Sequence, residues 1–169
     1  MKILVIGSGA REHAIVRSLL ADSITESVDC APGNAGIALQ VPTHPIDVKN
    51  SSAITLLAQQ LDVDLVVVGP EVPLAHGAAD AVTAAGIACF GPLRDAAKLE
   101  ASKSFAKEVM VAANVPTANS YTCENVSEVE KAMAEFGAPF VIKDDGLAAG
   151  KGVVVTNDKV AAITHAKEC

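Results

Sequence analysis

Hydrophobic and polar positions in the first half of the chain alternate between short apolar runs and longer stretches with helical spacing. The apolar runs, each followed by a turn rich in glycine or proline, predict buried strands. The predicted strands span 2–6, 28–31, 64–68 and 87–90, and the predicted helices span 11–20, 50–61 and 73–85. This order of helices and uniformly apolar strands is typical of a parallel sheet covered on both faces.

The pattern changes after Pro92. Helical spacing predicts one long or two short helices over 94–113, ended by Asn114 and Pro116. The remaining elements are predicted as strands at 120–123, 139–143 and 152–156 and helices at 127–136 and 158–167. Since two of these strands flank one glycine-rich loop, we expect an antiparallel hairpin there. We place a domain boundary near 102–107, which gives a Rossmann-like domain at 1–103 and a second domain at 104–169.

Composition narrows the classes of function. The chain has 169 residues, of which 50% are hydrophobic and 20% charged, so a packed core is expected rather than disorder. Aromatic residues make up only 3% and the net charge is −7, which argues against nucleic acid or an anionic membrane as a partner. The N-terminal apolar run is too short for a signal peptide or a membrane span. A soluble, cytoplasmic protein is therefore expected.

Cysteine and histidine offer no metal centre. The four cysteines are scattered without a C-x-x-C pair, so we expect reduced, inert thiols. No two of the four histidines stand at metal-ligand spacing, and we interpret all of them as structural or surface residues. They are His13, His44, His76 and His165.

The first candidate loop follows the first strand and opens a helix. Gly7 and Gly9 allow close backbone approach, and a helix N-terminus favours an anion such as phosphate. Arg11 could add a bidentate contact to the same phosphate. Glu12 stands where a dinucleotide-binding loop would have glycine, which disfavours that alternative although it stays open. A tight turn with a salt-bridged Arg11 is the structural alternative.

Two more loops follow later strands of the predicted sheet. Gly33, Asn34 and Gly36 offer left-handed backbone and one amide side chain for polar recognition, although an ordinary turn has the same composition. Glu71 lies between two prolines, where its carboxylate could bind sugar hydroxyls or an amine. The same carboxylate could instead serve as a first-turn charge of the next helix.

The fourth loop runs from Lys143 to Gly152. It is not a P-loop, because one residue is missing between its glycines and because Gly152 leads into an apolar strand. We interpret it as a mobile flap whose amides and Lys151 close over nucleotide phosphates, with Lys143 on the preceding strand. A solvated hairpin is the alternative.

The motifs taken together, in this order, resemble the glycinamide ribonucleotide synthetase family, which are ATP-grasp ligases of purine biosynthesis. The resemblance runs along the whole chain from Met1. It rests on 7–14, 31–36, 69–71, 90–92, 99–103 and 143–152.

The resemblance implies a fold, a reaction and site residues. The fold would be a Rossmann-like parallel sheet followed by the beginning of an ATP-grasp domain. The reaction would join glycine to 5-phosphoribosylamine with ATP, through a glycyl phosphate, with Mg²⁺ or Mn²⁺. The implied amino-sugar phosphate site comprises Gly7, Gly9, Ala10, Arg11, Gly33, Asn34, Gly36 and Glu71. The implied ATP site comprises Lys103, Lys143, Gly146, Gly150, Lys151 and Gly152.

Two positions depart from the family pattern, which usually has glycine at Ala10 and alanine at Asp144. Asp144 adds a negative charge near the expected phosphates. No acid–base residue is identified, and metal ligands are expected beyond Cys169, because family members are more than twice this long. We therefore expect an N-terminal fragment that is inactive alone. A monomer acting on small molecules is the expected state.

Two alternatives of other kinds remain. One is a non-catalytic module that binds a nucleotide or sugar phosphate, which the flap with its two lysines disfavours. The other is a different ATP-grasp carboxylate–amine ligase, which the run from Arg11 to His13 and the loop from Ala31 to Gly36 disfavour.

Overall fold

The computed structural model describes residues 1–147 and 152–169. It divides into two compact units, Met1–Lys98 and Leu99–Cys169. This division falls a few residues before the boundary predicted from the sequence. Each unit is described separately below.

The first unit holds most of the regular elements that the hydrophobic pattern predicted. Its strands are β1 (Lys2–Gly7), β2 (Ser27–Pro32), β3 (Leu65–Val68) and β4 (Ala88–Phe90). Its helices are α1 (Ala10–Leu20), α2 (Ser51–Gln60), α3 (Glu71–Ala75), α4 (Ala78–Ala84) and most of α5 (Arg94–Ala101), with a short 3-10 helix at Ile37–Leu39.

The four strands form one parallel sheet in the order β2-β1-β3-β4, which confirms the predicted parallel α/β fold. Alternate residues of the central strand β1 point to opposite faces. Leu4 and Ile6 pack in one hydrophobic cluster with α2 and α4, while Ile3 and Val5 pack in another with α1. The sheet is thus buried on both faces, and the loops that follow its strands gather at one edge.

The prediction of one continuous helix over 73–85 is wrong, because the structure has two separate helices there. Gly77 lies between them with a φ of 82°, which ends α3 and starts α4. The Arg94 guanidinium donates a 2.8 Å hydrogen bond to the carbonyl oxygen of His76, directly over this glycine. A side chain at position 77 would collide with Arg94, so glycine is required at the break.

The second unit contains α6 (Lys103–Ala112), α7 (Val126–Phe136), β5 (Phe140–Lys143), β6 (Val153–Thr156) and α8 (Lys159–Ala166). Strands β5 and β6 pair antiparallel, which confirms the predicted hairpin. Helices α5 and α6 confirm the two-helix alternative for 94–113.

The strand predicted at 120–123 is wrong, because this segment is irregular. The apolar side of the segment is used in a local contact instead: the Tyr121 ring stacks on Phe136 of α7 at 5.0 Å between centroids, and its hydroxyl donates to Glu135. A side-chain contact with one helix replaces pairing with a neighbouring strand.

Among the helices in the described residues, none combines the length and apolar character needed to cross a bilayer.

Candidate functional site

The first unit has an open cavity of about 440 Å³ at the edge of the sheet where β1 and β2 end. Its walls come from the loop after β1, the segment before α2 and the loop after β3. The lining residues are Gly7, Ser8, Gly9, Glu12, Pro32, Ile46, Asp47, Val48, Pro70 and Val72. This is where ligands bind in open parallel α/β sheets.

Glu12 is the buried charged residue at the centre of this cavity wall. Its side chain is 4% exposed, and its Oε2 accepts a 2.6 Å hydrogen bond from the Gly9 amide at the start of α1. A Cβ placed on Gly7 or on Gly69 would collide with the Glu12 side chain. Gly7 at the end of β1 and Gly69 directly after β3 are therefore needed to make room for this carboxylate.

The Glu12 charge also acts on the thiol behind the cavity. Burial in the first place, and then the negative charge of Glu12, raise the pKa of Cys30 to about 11. The Cys30 thiol lies 3.5 Å from the Gly7 carbonyl oxygen, to which it donates. This thiol stays protonated at neutral pH, as expected for an inert cysteine, and all four cysteines are free.

Arg11 and Glu71, both predicted site residues, lie together. One guanidinium nitrogen of Arg11 donates a 2.8 Å hydrogen bond to the Gly69 carbonyl and lies 3.6 Å from a Glu71 carboxylate oxygen. Arg11 therefore ties the loop after β1 to the loop after β3. Neither residue lines the cavity described above.

Gly33, Asn34 and Gly36, which were predicted as site residues, stabilise the loop that follows β2 next to the cavity. Asn34 accepts hydrogen bonds from the Gly36 and Ile37 amides and donates a 2.8 Å hydrogen bond to the Ser8 carbonyl. Gly33 has a φ of 72°, and a Cβ there would lie 2.6 Å from Thr43. A Cβ at Gly36 would lie 3.0 Å from the His13 ring. These residues fix the loop after β2, and they do not line the cavity.

Sequence reasoning identified Gly7 and Gly9 in the cavity but missed part of its wall. Ala10 is exposed at the first turn of α1 and lies outside the lining. Ile46, Asp47 and Val48 were missed, because this stretch before α2 has no strand or glycine signature. Glu12 was read only as a residue that would crowd the packing of helix and strand.

The second unit has a polar cluster at the start of α6. The Asp145 carboxylate accepts hydrogen bonds from the Ser104 amide at 2.7 Å and from the hydroxyls of Ser102 and Ser104 at 3.0 and 2.9 Å. Burial alone would raise the pKa of Asp145, but the hydrogen bonds from Ser104, Ser102 and the Lys103 amide outweigh it and lower the pKa. The segment after β5 is thereby fastened to the N-terminus of α6.

Two lysines of the predicted ATP site, Lys103 and Lys143, lie on elements next to this cluster. Lys103 Nζ donates a 2.9 Å hydrogen bond to the Gly146 carbonyl, in the segment after β5. Lys143 is exposed at the end of β5, opposite Val153. Gly152 closes the hairpin, since its carbonyl accepts a 2.8 Å hydrogen bond from the Asp144 amide. Gly150 and Lys151, which belong to the predicted flap, lie outside the described residues.

Within residues 1–147 and 152–169, no group of three or more His, Cys, Asp or Glu side chains is arranged to hold a metal ion.

The fold and the sites define a class: a Rossmann-like α/β unit with an open cavity at the end of its sheet, followed by a unit in which a lysine-bearing hairpin meets a helix N-terminus. The family comparisons agree with this class. Residues 1–100 match the phosphoribosylglycinamide synthetase N domain, and residues 101–169 match the ATP-grasp (A) domain of the same synthetase. The chain belongs to the phosphoribosylglycinamide synthetase family.

Curated relatives carry the name phosphoribosylamine–glycine ligase. The protein of that name from Streptomyces coelicolor is 60% identical over 169 residues, which is 100% of this chain and 41% of the relative. The Mycobacterium tuberculosis relative is 51% identical over 170 residues, covering 98% of this chain and 40% of its own length. The chain thus spans about two fifths of the curated relatives that it matches.

Solved structures show the same fold. The phosphoribosylamine–glycine ligase of Thermotoga maritima matches with a TM-score of 0.74 at 28% identity, covering 97% of this chain and 38% of that one. The carboxyaminoimidazole ribonucleotide synthase of Aspergillus clavatus, solved with ATP, matches with a TM-score of 0.76 at 21% identity over 99% of this chain and 44% of that one. The second likeness is one of fold alone.

Proposed function

We propose that this chain provides the amino-sugar phosphate site and part of the ATP site of a phosphoribosylamine–glycine ligase. The reaction joins glycine to 5-phosphoribosylamine and converts ATP to ADP and phosphate, giving glycinamide ribonucleotide. The observation that carries the proposal is the 60% identity, over all 169 residues, to a relative of that name. Such a ligase would act in the cytoplasm on small molecules, and we propose a monomer.

The first unit would bind 5-phosphoribosylamine. Its cavity combines the backbone of the loop after β1 with the Glu12 carboxylate and an apolar wall of Ile46, Val48 and Val72. Asn34 and Arg11 hold the three loops around it through contacts with Ser8 and Gly69. A pocket fixed in this way can orient the amine of the sugar for attack at low entropic cost.

The second unit would bind the ATP phosphates. Lys103 and Lys143 supply positive charge near the segment that follows β5, and the glycine-rich stretch supplies backbone amides. The glycine carboxylate attacks the γ-phosphate, which forms an acyl phosphate and releases ADP; the amine then attacks the acyl carbon and releases phosphate. The lysines would offset the negative charge that develops during phosphoryl transfer. A divalent ion, when bound, would neutralise further phosphate charge.

A chimera tests the proposal directly. Residues 1–169 replace the matching residues of the Streptomyces coelicolor relative, and ADP release is followed with glycine and freshly formed 5-phosphoribosylamine. We expect ADP release that requires both substrates, and a loss of about tenfold or more in rate for Lys103→Ala, since a cation that contacts transferring phosphate is lost. Exchange of the exposed Lys159 of α8, in the same unit as Lys103, for alanine is the matched control, with no change expected.

A folded chimera that hydrolyses ATP equally with and without 5-phosphoribosylamine would contradict the assignment of the first unit. A chimera that uses another amine in place of 5-phosphoribosylamine would indicate a different ATP-grasp ligase.

A further inference from the structure

The cavity of the first unit has an unusual balance of charge for a site expected to hold a phosphorylated sugar. Two carboxylate residues, Glu12 and Asp47, belong to its lining. No lysine, arginine or histidine is found among the described residues that line it. Arg11 directly precedes Glu12 in the sequence and could have supplied a positive charge. Its guanidinium contacts the Gly69 carbonyl and Glu71 instead.

The Glu12 carboxylate has one oxygen available to a ligand. Its Oε2 is held by the Gly9 amide at 2.6 Å, whereas no group in the described part of the chain donates a hydrogen bond to Oε1. Glu12 as a whole is only 4% exposed, but Oε1 is not one of the fully buried polar atoms, so this oxygen is accessible from the cavity. A carboxylate oxygen that is open to a cavity and has no donor within the protein can accept a hydrogen bond from a ligand.

Asp47 offers a second acceptor in the part of the wall that comes from the segment before α2. Its Oδ1 accepts a 3.0 Å hydrogen bond from the Lys49 amide, and this contact fixes the carboxylate. Its Oδ2 accepts no hydrogen bond within the described residues. Asp47 is exposed, so its exchange leaves the core untouched.

The same carboxylates disfavour phosphate in this cavity. Glu12 already occupies the amide of Gly9, one of the free donors by which a helix N-terminus attracts anions. A phosphate placed there would meet this buried negative charge at short range, with no cation in the lining to offset it.

We propose that the cavity binds the donor-bearing face of the amino sugar, with Glu12 Oε1 and Asp47 Oδ2 accepting hydrogen bonds from its amine or ring hydroxyls, and that the 5-phosphate lies outside it. The inference rests on the proposed function and gives the ligand an orientation. It replaces the expectation that Gly7, Gly9 and Arg11 hold the phosphate.

Binding to the ¹⁵N-labelled 169-residue chain, followed by amide chemical shifts, tests this orientation. The probes are ribose 5-phosphate, ribose, inorganic phosphate, and ribose 5-phosphate with ammonium, which forms the glycosylamine. The variants are Glu12→Gln and Asp47→Asn, and the matched control is Glu26→Gln, an exposed carboxylate outside the cavity. Glutamine keeps an oxygen for the Gly9 amide while it replaces the free acceptor by a donor.

We expect Glu12→Gln to weaken ribose 5-phosphate binding about tenfold, because a hydrogen bond to a charged acceptor is lost, and Asp47→Asn to weaken it about threefold. The control leaves the affinity unchanged, and inorganic phosphate shifts neither the Ser8 nor the Gly9 amide. If the weakening appears with ribose alone, the hydroxyls are the donors; if it appears only with ammonium, the amine is.

The phosphate orientation predicts the opposite sign, since removal of the Glu12 charge would then strengthen binding. Tighter or unchanged binding of ribose, ribose 5-phosphate and the glycosylamine alike by Glu12→Gln and Asp47→Asn, or competition by inorganic phosphate, would overturn the inference while leaving the proposed function intact. A wild-type chain that binds no ribose 5-phosphate in any form contradicts the proposed function itself, and the inference fails with it.

Discussion

The two units of this chain are stabilised in different ways. In Met1–Lys98, a parallel sheet is buried on both faces by two hydrophobic clusters. In Leu99–Cys169, the only hydrophobic residues buried among those described are Met133 and Ala162. One face of the β5–β6 hairpin carries the exposed side chains of Val141, Val153 and Val155.

The difference shows where each unit obtains its order. The first unit can hold a buried charge, Glu12, because the surrounding core fixes its position. The second unit depends more on polar contacts at helix ends: Ser102, Asn125 and Asp158 each cap a helix with a side-chain oxygen. Its site residues are therefore positioned by hydrogen bonds near solvent rather than by close packing.

Core truncation gives the largest expected difference between the units. Leu4→Ala removes a side chain that is 0% exposed, and it should lower the free energy of unfolding of the first unit by about 3 kcal/mol through lost burial and a residual cavity. Val155→Ala, at a position that is 66% exposed, should change the stability of the second unit little. Urea denaturation followed by residue-resolved amide signals measures both.

Equal losses in both units would remove the distinction between a core-stabilised and a polar-stabilised unit.

Crowding of Glu12 gives the next largest effect. Gly69→Ala places a methyl group on the Glu12 carboxylate, and we expect a loss of about 2 kcal/mol in stability together with weaker ribose 5-phosphate binding. Gly146→Ala is the matched control in the second unit, since the nearest atom to its added Cβ would be at an ordinary 3.7 Å. Thermal unfolding with and without ribose 5-phosphate separates the two effects. Wild-type affinity in a destabilised Gly69→Ala protein would show that Glu12 has no part in binding.

Loss of the Asp145 cluster should destabilise the second unit by about 1 kcal/mol, comparable to removal of a helix cap. Tyr121, the only tyrosine in a chain without tryptophan, reports the unfolding of this unit by fluorescence. Asp145→Ala is the test variant, and Asp144→Ala is the neighbouring control.

The pH dependence has a defined sign. Because the folded-state pKa of Asp145 lies below its ordinary value of 3.8, its stabilisation is present above that value and is lost as the pH falls through the lowered pKa. Asp145→Asn should reduce this acid sensitivity. An unchanged acid transition in the variant would mean that the hydrogen bonds of the cluster contribute nothing to stability.

Asp144 gives the smallest expected effect. Its carboxylate accepts a 3.1 Å hydrogen bond from the Gly146 amide, so it adds negative charge to the segment proposed to face ATP. Asp144→Ala should strengthen ATP binding about twofold, as expected for removal of one exposed charge that is screened by solvent. Calorimetric titration with ATP, and with adenosine as the uncharged control, measures the change. A weaker ATP complex would indicate that the carboxylate shapes the segment rather than repelling phosphate.

The sheet could be predicted from the sequence because its strands are short apolar runs that end at glycine or proline. The strands β1 and β3, which contain Leu4 and Val66, are examples. It failed where a tertiary contact decides local structure. Arg94 closes over Gly77 from seventeen positions away and splits one predicted helix, and Tyr121 packs on Phe136 where a strand was predicted.

The site was only partly predictable for the same reason. Glycines after strands indicated the edge at which the cavity lies, since glycine marks close backbone approach. The carboxylate that fills the space above Gly7 and Gly69 is visible only in three dimensions, as is the part that Asp47 takes in the wall. The motif predicted either a phosphate contact or a salt bridge for Arg11. In the structure Arg11 contacts the Gly69 carbonyl and Glu71, and the phosphate contact stays a prediction.

The most direct test of the central claim is an amide-resolved titration of the 169-residue chain, first with ribose 5-phosphate and then, in a separate sample, with ATP. The account predicts that ribose 5-phosphate shifts the amides of Ser8, Gly9 and Val48 in the first unit, and that ATP shifts those of Lys103 and Gly146 in the second. Shifts of Ser8 and Gly9 caused by ATP and not by ribose 5-phosphate would contradict it, because the first unit would then be a nucleotide site.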